Sequence, residues 1–530
     1  MKTTLRHLPS RPVHQTGGIT VLAALTLVLA VMFTGLALDT ARLWLAKREL
    51  QRSVDMAALA AARHTGCGST SLQATQAAQN AGTQNGLPVG STMLVQRGVA
   101  SVDTLTRYNT FTLQDSELSN AAQVTVTAQV PASIMAGGLL DSTTTTLSAT
   151  ATAKGGPPVA TFSIGSFASI SQNQANFINA LFRGILGNSS INLGVAALAD
   201  LGGTSVNLAA LQVAAGAATI DELLNRQVPI GQLLQWLATS SPSANAATSL
   251  SQLGTLSLNS GLTVRLRDVL NVQIPANSAV ATVDINVLDL VQTSLLVGKG
   301  KGTINLGLNI AGVGSITLNL LNPPKIAVGP AGKSLSGAWC TATQSAQMSL
   351  KVGLNPLRIG LVDMALFLDL LSTSGHLASL NIAPGNNTGR LEVGSTLIGL
   401  RLRNNADSNL ASVFGGLVQL GLNLPIGQAT AGGAPFTVVS DADLPRTVQT
   451  SGVGGGTISG LIGRDTSLTV RFLGLGLDLL SPIVKLVVSP LLSLVGDGII
   501  DPLLQALGFD IGLVRVRLVD IDSAKPVLVL

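Results

Sequence analysis

The chain has 530 residues, a formal net charge of +5 and only 11% charged residues, against about 25% in an ordinary soluble domain. Aromatics are 3%, with Tyr108 the single tyrosine, so small and aliphatic residues build the core and neutral polar groups cover much of the surface. This balance suits an exported, assembling or surface-associated protein better than a cytosolic enzyme, and it does not imply nucleic-acid binding, which needs a clustered basic patch that the sequence lacks. The densest basic stretch, Arg42 to Arg52, contains Glu49 and is flanked by Asp39 and Asp55, as on a solvated helix face.

In chain order, residues 1–18 read as a short basic leader carrying Lys2, Arg6 and Arg11. Residues 19–38, ITVLAALTLVLAVMFTGLAL, carry no charge. At 1.5 Å per residue a helix of that length crosses the roughly 30 Å hydrocarbon core of a bilayer. Thr20, Thr26 and Thr34 can return their hydroxyls to the helix backbone. A cleaved signal has a shorter apolar region followed by a break. Here residues 40–64 continue with neither Gly nor Pro. Leu43, Leu50 and Ala57, interleaved with Lys47, Val54 and Ala61, make a heptad-like seam. One helix of about 45 residues is expected, half in lipid and half amphipathic, ending near Gly66 and Gly68. Bases flank the span on both sides, so counting them does not orient it. The short leader and the exported look of the remainder place the N-terminus inside and the bulk of the chain outside.

Gly17-Gly18 before the span, Asp39 just after it, and the run Leu50-Gln51-Arg52-Ser53-Val54-Asp55-Met56-Ala57-Ala58-Leu59-Ala60-Ala61 resemble the N-terminus of TadG-like (TadE/G-like) Flp pilus-assembly proteins. The likeness covers residues 15–65, with a weaker echo over 123–153. It implies an envelope protein of a tight-adherence pilus system: a single-pass inner-membrane protein, mostly periplasmic, with the bilayer and other pilus-assembly envelope proteins as partners of the anchor helix. The motif residues are Gly18, Asp39, Leu50, Gln51, Asp55, Ala57, Ala58, Leu59 and Ala60. Class IV prepilins usually carry Glu at the fifth position after the cleaved Gly. Counted from Gly18 that position is Ala23, which argues against such processing here.

Cys67 and Cys340 sit in no CxxC or metal-like spacing. A disulfide between them and two unrelated buried thiols are both compatible with the sequence. Residues 66–153 are expected to form a small α+β domain, with a helix around 70–81 and strands at Gln123–Val130 and Thr143–Ala153. In the first strand Val124, Val126, Ala128 and Val130 alternate with polar residues. Lys154-Gly-Gly-Pro-Pro158 marks a boundary. The segment 154–260 reads as mainly helical, with Phe177, Leu181 and Ile185 at i+4. Ser189–Leu193, Thr204–Leu208 and Leu262–Leu266 share a local pattern that suggests a strand-to-helix entry. Residues 261–530 read as β-rich. The uncharged run 302–324 alternates like a hairpin, and 428–457 is loop-rich. Residues 473–507 read as short core or interfacial helices. The fold class is α+β: a long N-terminal transmembrane and amphipathic helix, then a β-rich extracytoplasmic region with short helices.

No motif for catalysis, metal or cofactor is present. His7, His14 and His64 lie in the leader or anchor helix, and His376 stands alone. Asp141-Ser-Thr-Thr-Thr145 matches the Asp-x-Ser-x-Ser metal site of von Willebrand A-type modules only loosely and is read as chance. Catalytic, metal and cofactor sites are therefore expected to be absent. The main alternative to pilus assembly is an anchored binding module for a lipid or other apolar ligand, which requires a ligand-sized apolar cavity. An enzyme would require carboxylates such as Asp284, Asp289, Asp363 and Asp369 to gather in one cleft.

Overall fold

The structure is a computed structural model that describes residues 17–102, 109–133, 144–164, 170–272, 278–307, 313–354, 363–370, 373–383, 385–394, 396–413, 418–429, 432–449, 467–472, 475–476, 509–510, 513–523 and 525–529. The leader with His7 and His14, Asp141 to Thr143 and the 454–456 glycines lie outside the described residues. So do residues 473–507, apart from 475–476.

Helix α1 runs unbroken from Gly17 to Ala62, 46 residues, or roughly 69 Å at 1.5 Å per residue. The chain then turns through Gly66 and Gly68, both at positive φ (79° and 80°). Helix α2, Ser71–Gln84, opens on a capping box: Thr70 Oγ1 accepts from the Gln73 amide, and the Gln73 side chain accepts from the Thr70 amide. It runs three residues past the expected end, to the Asn85-Gly86 stop.

Strands β1 (Thr92–Val102), β2 (Asn109–Leu113), β3 (Ala121–Pro131) and β4 (Thr144–Lys154) form an antiparallel sheet in the order β2-β1-β3-β4. A late segment, Val527–Leu528, pairs with Lys154 and Ala153 on the open edge of β4. The alternation in β3 is realised, with Val124, Val126 and Ala128 buried and Thr125 and Thr127 partly exposed. On the buried face lie Leu50, Val54, Ala57, Ala58, Ala61 and Ala62 of α1 and Ala74 and Ala78 of α2. Alanines on both sides allow a close helix–sheet approach, so this small core is filled by methyl groups.

Strand β5, Val159–Ile164, is buried at every residue. It lies inside the segment read as mainly helical. It is an interior strand of a second sheet, flanked by Leu513–Asp522 and Ile326–Pro330, both antiparallel to it. Leu270–Val272 adds in parallel to Ile326–Pro330, and Arg446–Gln449 pairs outside Leu513–Asp522. The polar members of β5, Thr161 and Ser163, are buried as well, so the strand is covered on both faces and is only six residues long, too short to stand out in a segment otherwise read as helical.

Helices between residues 172 and 299 cover this sheet. Phe177, Leu181 and Ile185 point into the core from Gln172–Leu186 as their spacing required. Three-residue strands feed directly into helices at Ser205–Asn207, Gln227–Pro229, Thr263–Arg265 and Asp284–Asn286. They pair as 205–207 with 284–286 and 227–229 with 263–265, each burying its central Val206, Ile285, Val228 or Val264. The expected entries at Thr204–Leu208 and Leu262–Leu266 are thus present. Ser189–Leu193 instead precedes a helix at Val195–Gly203 without forming a strand. The alternation through Val283, Ile285 and Val287 stops after Asn286, where the Asn286 side chain accepts from the Asp289 amide and starts the helix Val287–Lys299.

Beyond 300 the chain folds as an antiparallel meander. Gly302–Asn305 pairs with Val313–Asn322, the hairpin read from the 302–324 run, followed by Gln347–Leu354, Met364–Leu370, Thr396–Arg403, Val418–Ala429 and Ser467–Phe472. A smaller sheet orders Ala342–Gln344, Ser374–Asn381, Asn387–Val393 and Gly432–Val438. Within 428–457, read as loop-rich, Gly432–Val438 and Arg446–Gln449 are therefore strands. Ile304, Ile316, Leu318, Leu350, Leu366 and Leu402 join the helices and β5 in one continuous core. The whole is α+β, with the long apolar helix at its N-terminus.

Candidate functional site

The functional candidate is α1 and its junction with the rest of the molecule. The helix divides into three environments. From Ile19 to Leu38 the large apolar side chains are exposed, including Leu22 at 65% and Phe33 at 68%. This stretch is long and apolar enough to cross a membrane. Thr26 and Thr34 donate their hydroxyls to the carbonyls of Ala23 and Ala30 at 2.9 and 2.7 Å, which removes their demand for water. Gly18 lies in the first turn.

The second environment spans Asp39 to Glu49. Ser133 Oγ donates to Asp39, and Arg42 Nη2 donates to the Pro131 carbonyl. The far end of β3 is thereby fastened to the helix one turn beyond the apolar stretch. Trp44 is 60% exposed, with the Arg48 guanidinium 5.7 Å from its ring centroid. An amphipathic ring beside a cation at this depth is the pattern of a membrane–water interface.

The third environment, Leu50 to Ala62, is core. Leu50, Ala57 and Ala58 are buried against the sheet, with Leu59 partly buried beside them. Gln51 Nε2 donates to Asp55 Oδ1 (2.8 Å) and to the Thr150 carbonyl on β4 (3.1 Å). Ala60 is only partly buried. Seam residues Leu43 and Lys47 fall in the previous section, partly and fully exposed. The lower half of the seam thus faces the chain's own sheet.

At the base of α1 a buried arginine organises the turn. Arg97, on β1, donates to the carbonyls of Ser69 and Gly66 and to Ser119 Oγ, each at 3.1 Å, and pairs with Asp115 at 3.0 Å. Burial lowers its pKa, and the Asp115 carboxylate pulls it back up. Sequence reading passed over this residue. The available signal was its phase: Met93, Val95 and Arg97 share one strand face, so a charge stands where the alternation calls for an apolar side chain. Thr65 Oγ1 donates to the carbonyls of Ala62 and Gly155, tying the end of α1 to the linker after β4.

Cys67 and Cys340 form a disulfide, with Cα atoms 5.7 Å apart across a sequence separation of 273. Both are buried. The bond fastens the α1–α2 turn to a loop whose Gly332 amide donates to the Leu377 carbonyl. Glu117 accepts from the Leu335 amide at 3.0 Å across the same junction. Nearby, Trp339 stacks on His376 with ring centroids 5.1 Å apart, and the Lys333 ammonium lies 4.4 Å from the Trp339 centroid. Burial lowers the His376 pKa; the Glu392 carboxylate opposes this and Lys333 reinforces it.

The carboxylates an enzyme would gather are engaged separately. Asp289 is buried and accepts from Ser163 Oγ at 2.9 Å. Asp284 faces Asp520, Asp363 accepts from Asn405, and Asp369 pairs with Arg401 at 2.7 Å. Among the described residues no three His, Cys, Asp or Glu side chains converge as metal ligands. The core cavity beside Asp289, lined by Phe177, Ile178, Leu181 and Met348, holds about 40 Å³. That is room for a water, not a lipid chain.

An apolar helix that passes without a break into the core of its own helix-on-sheet module defines a protein built on one long N-terminal helix packed against a sheet. Residues 17–64 match the family described as "Putative Flp pilus-assembly TadE/G-like", and residues 60–153 match that described as "Putative Tad-like Flp pilus-assembly". The two matches overlap at the last turn of α1 and together cover α1, α2 and β1–β4, so this part of the chain is related to Flp pilus assembly, as the residues quoted from 15–65 implied. No curated protein and no solved structure matches the chain.

Proposed function

We propose that this chain is a single-pass inner-membrane protein of a tight-adherence pilus system, with residues 39 onward in the periplasm, serving as a structural or assembly component and not as an enzyme. The observation that carries the reading is the continuity of α1, apolar and uncovered to Leu38 and core to its own sheet from Leu50. The buried Cys67–Cys340 disulfide supports an oxidising compartment for the bulk of the chain. Because α1 beyond Leu50 belongs to the module core, partner helices are assigned to the exposed stretch 19–49, where Ala23, Ala24, Ala30 and Ala37 permit close approach. The apolar-ligand alternative draws no support from the water-sized core cavity.

Two truncations test this. Removing residues 1–38 should release a folded, disulfide-bonded protein from the membrane when it is exported behind a cleavable signal. Removing residues 1–65 should leave the sheet without its helix, and the product should be degraded. Membrane retention of the shorter truncation would refute the single anchor. A free, alkylatable Cys67 in the native chain would refute the periplasmic placement.

A further inference from the structure

A cleft of about 430 Å³ lies beside the disulfide. One wall is the end of α1 and the start of α2, with Arg63, His64, Ser69 and Gln73; the other is the strand segment Ala378–Ile382, and Pro157-Pro158 lies between them. The strand Ser374–Asn381 pairs with Asn387–Val393 as far as Asn381, but with Ala342–Gln344 only as far as His376. The pairing with Asn387–Val393 carries a bulge between Leu377 and Ser379 and continues past it, whereas the pairing with Ala342–Gln344 stops at His376. Among the described residues, 378–381 therefore have a strand neighbour on one side only. Open edges are normally blunted by a charge, a proline or a bulge; Ala378-Ser-Leu-Asn-Ile382 contains no charge and no proline, and the bulge lies at its start, leaving 379–381 regularly paired on the other side.

The charge in the cleft has one sign. Arg63 and His64 line it, and no Asp or Glu does. His64 titrates below its ordinary value, first from burial and then from the positive charges of Arg63 and Arg97. Both walls are held in place by the disulfide and by the Arg97 clamp on Gly66 and Ser69.

We propose that this cleft binds an extended acidic peptide segment of a partner protein, which adds as a strand to the 378–381 edge and places a carboxylate against Arg63. Four residues of open edge span roughly 13 Å at about 3.3 Å per residue. Main-chain hydrogen bonds supply affinity in strand addition, and side-chain contacts supply selectivity. The inference does not depend on the pilus reading.

The test uses the full chain in nanodiscs and fluorescein-labelled peptides followed by anisotropy. The probe is Thr-Val-Glu-Val-Glu-Val-Thr; the comparisons are its Glu-to-Lys analogue and a version N-methylated at alternate residues. The acidic peptide should bind at least about tenfold more tightly than either. Arg63→Gln should weaken it about tenfold. Gln73→Glu should do the same while keeping the acceptor of the Thr70 capping box, so helix content and melting should not change. Equal binding of the Lys analogue or of the N-methylated peptide, no binding at millimolar peptide, or indifference to both variants would overturn the proposal.

Discussion

Two residues show how much one position can decide. Gly68 has φ +80°, and a Cβ built on it would lie 2.1 Å from the Ala331 carbonyl oxygen. Gly68→Ala must therefore strain the backbone and push apart the two segments that the adjacent disulfide joins. We expect a loss on the order of 3 kcal/mol, read as a lower unfolding midpoint in detergent. Asp289 acts through its proton. Burial pushes its carboxyl up to about 6, against the pull of Arg517 and Ser163. The native state then holds this proton more tightly than the unfolded chain does. The contribution to stability is full below about pH 4 and is lost as pH rises through about 6, worth on the order of 3 kcal/mol. The sign is opposite to ordinary acid unfolding. In urea titrations between pH 7 and pH 4, the stability of the native protein relative to Asp289→Asn should rise by about that amount as pH falls. A flat difference would show that Asp289 keeps an ordinary pKa.

At the scale of elements, the best test is the face of α1 on its sheet. Ala57 and Ala61 have no exposed surface and face other alanines and valines. Ala57→Leu or Ala61→Leu should overpack this contact and cost about 1–3 kcal/mol, whereas Met56→Leu, at a position 41% exposed, should change little. Thermal melts of the three variants would show the difference. These elements also mark what could be read from the chain. Residues 19–38 were legible as a long uncharged apolar run, and the rest of α1 and β3 because one face of each is buried and the other exposed, a contrast that writes a period into the sequence. Strand β5 carries no such contrast, being buried on every residue. At 263–265 and 284–286 only three residues are strand, too few to distinguish a strand from the entry to a helix, and the decision falls to caps such as Asn286. The cleft beside the disulfide was illegible for another reason: its two walls come from residues 63–73 and 378–382, which no local pattern connects.

At the scale of the molecule, the disulfide should dominate. It closes a loop over a separation of 273 residues, which in the chain-entropy account stabilises by on the order of 5 kcal/mol. Replacing both cysteines with serine should lower the denaturant midpoint and open the junction to protease. Limited proteolysis should then cut near Gly155–Pro158, and the same cut should appear in native protein only after reduction.

The disulfide is also one of several ties that meet at one place. The chain passes between the N-terminal module and the larger body at the linker after β4 and at the return to Val527–Leu528, and the end of α1 lies beside both. A Cβ on Gly155 would lie 3.0 Å from Pro526 and 3.1 Å from the Ala62 carbonyl, so both passages and the end of α1 converge on a single neck. In mechanical terms, a pull between the larger body and the exposed end of α1 is borne by this neck. Strand pairs there can peel apart one hydrogen bond at a time, but the Cys67–Cys340 bond is covalent and lies across the same gap. The neck therefore works as a coupling with a safety pin. If strand pairing at the sheet edge gives way, the disulfide still holds the α1–α2 turn to the larger body.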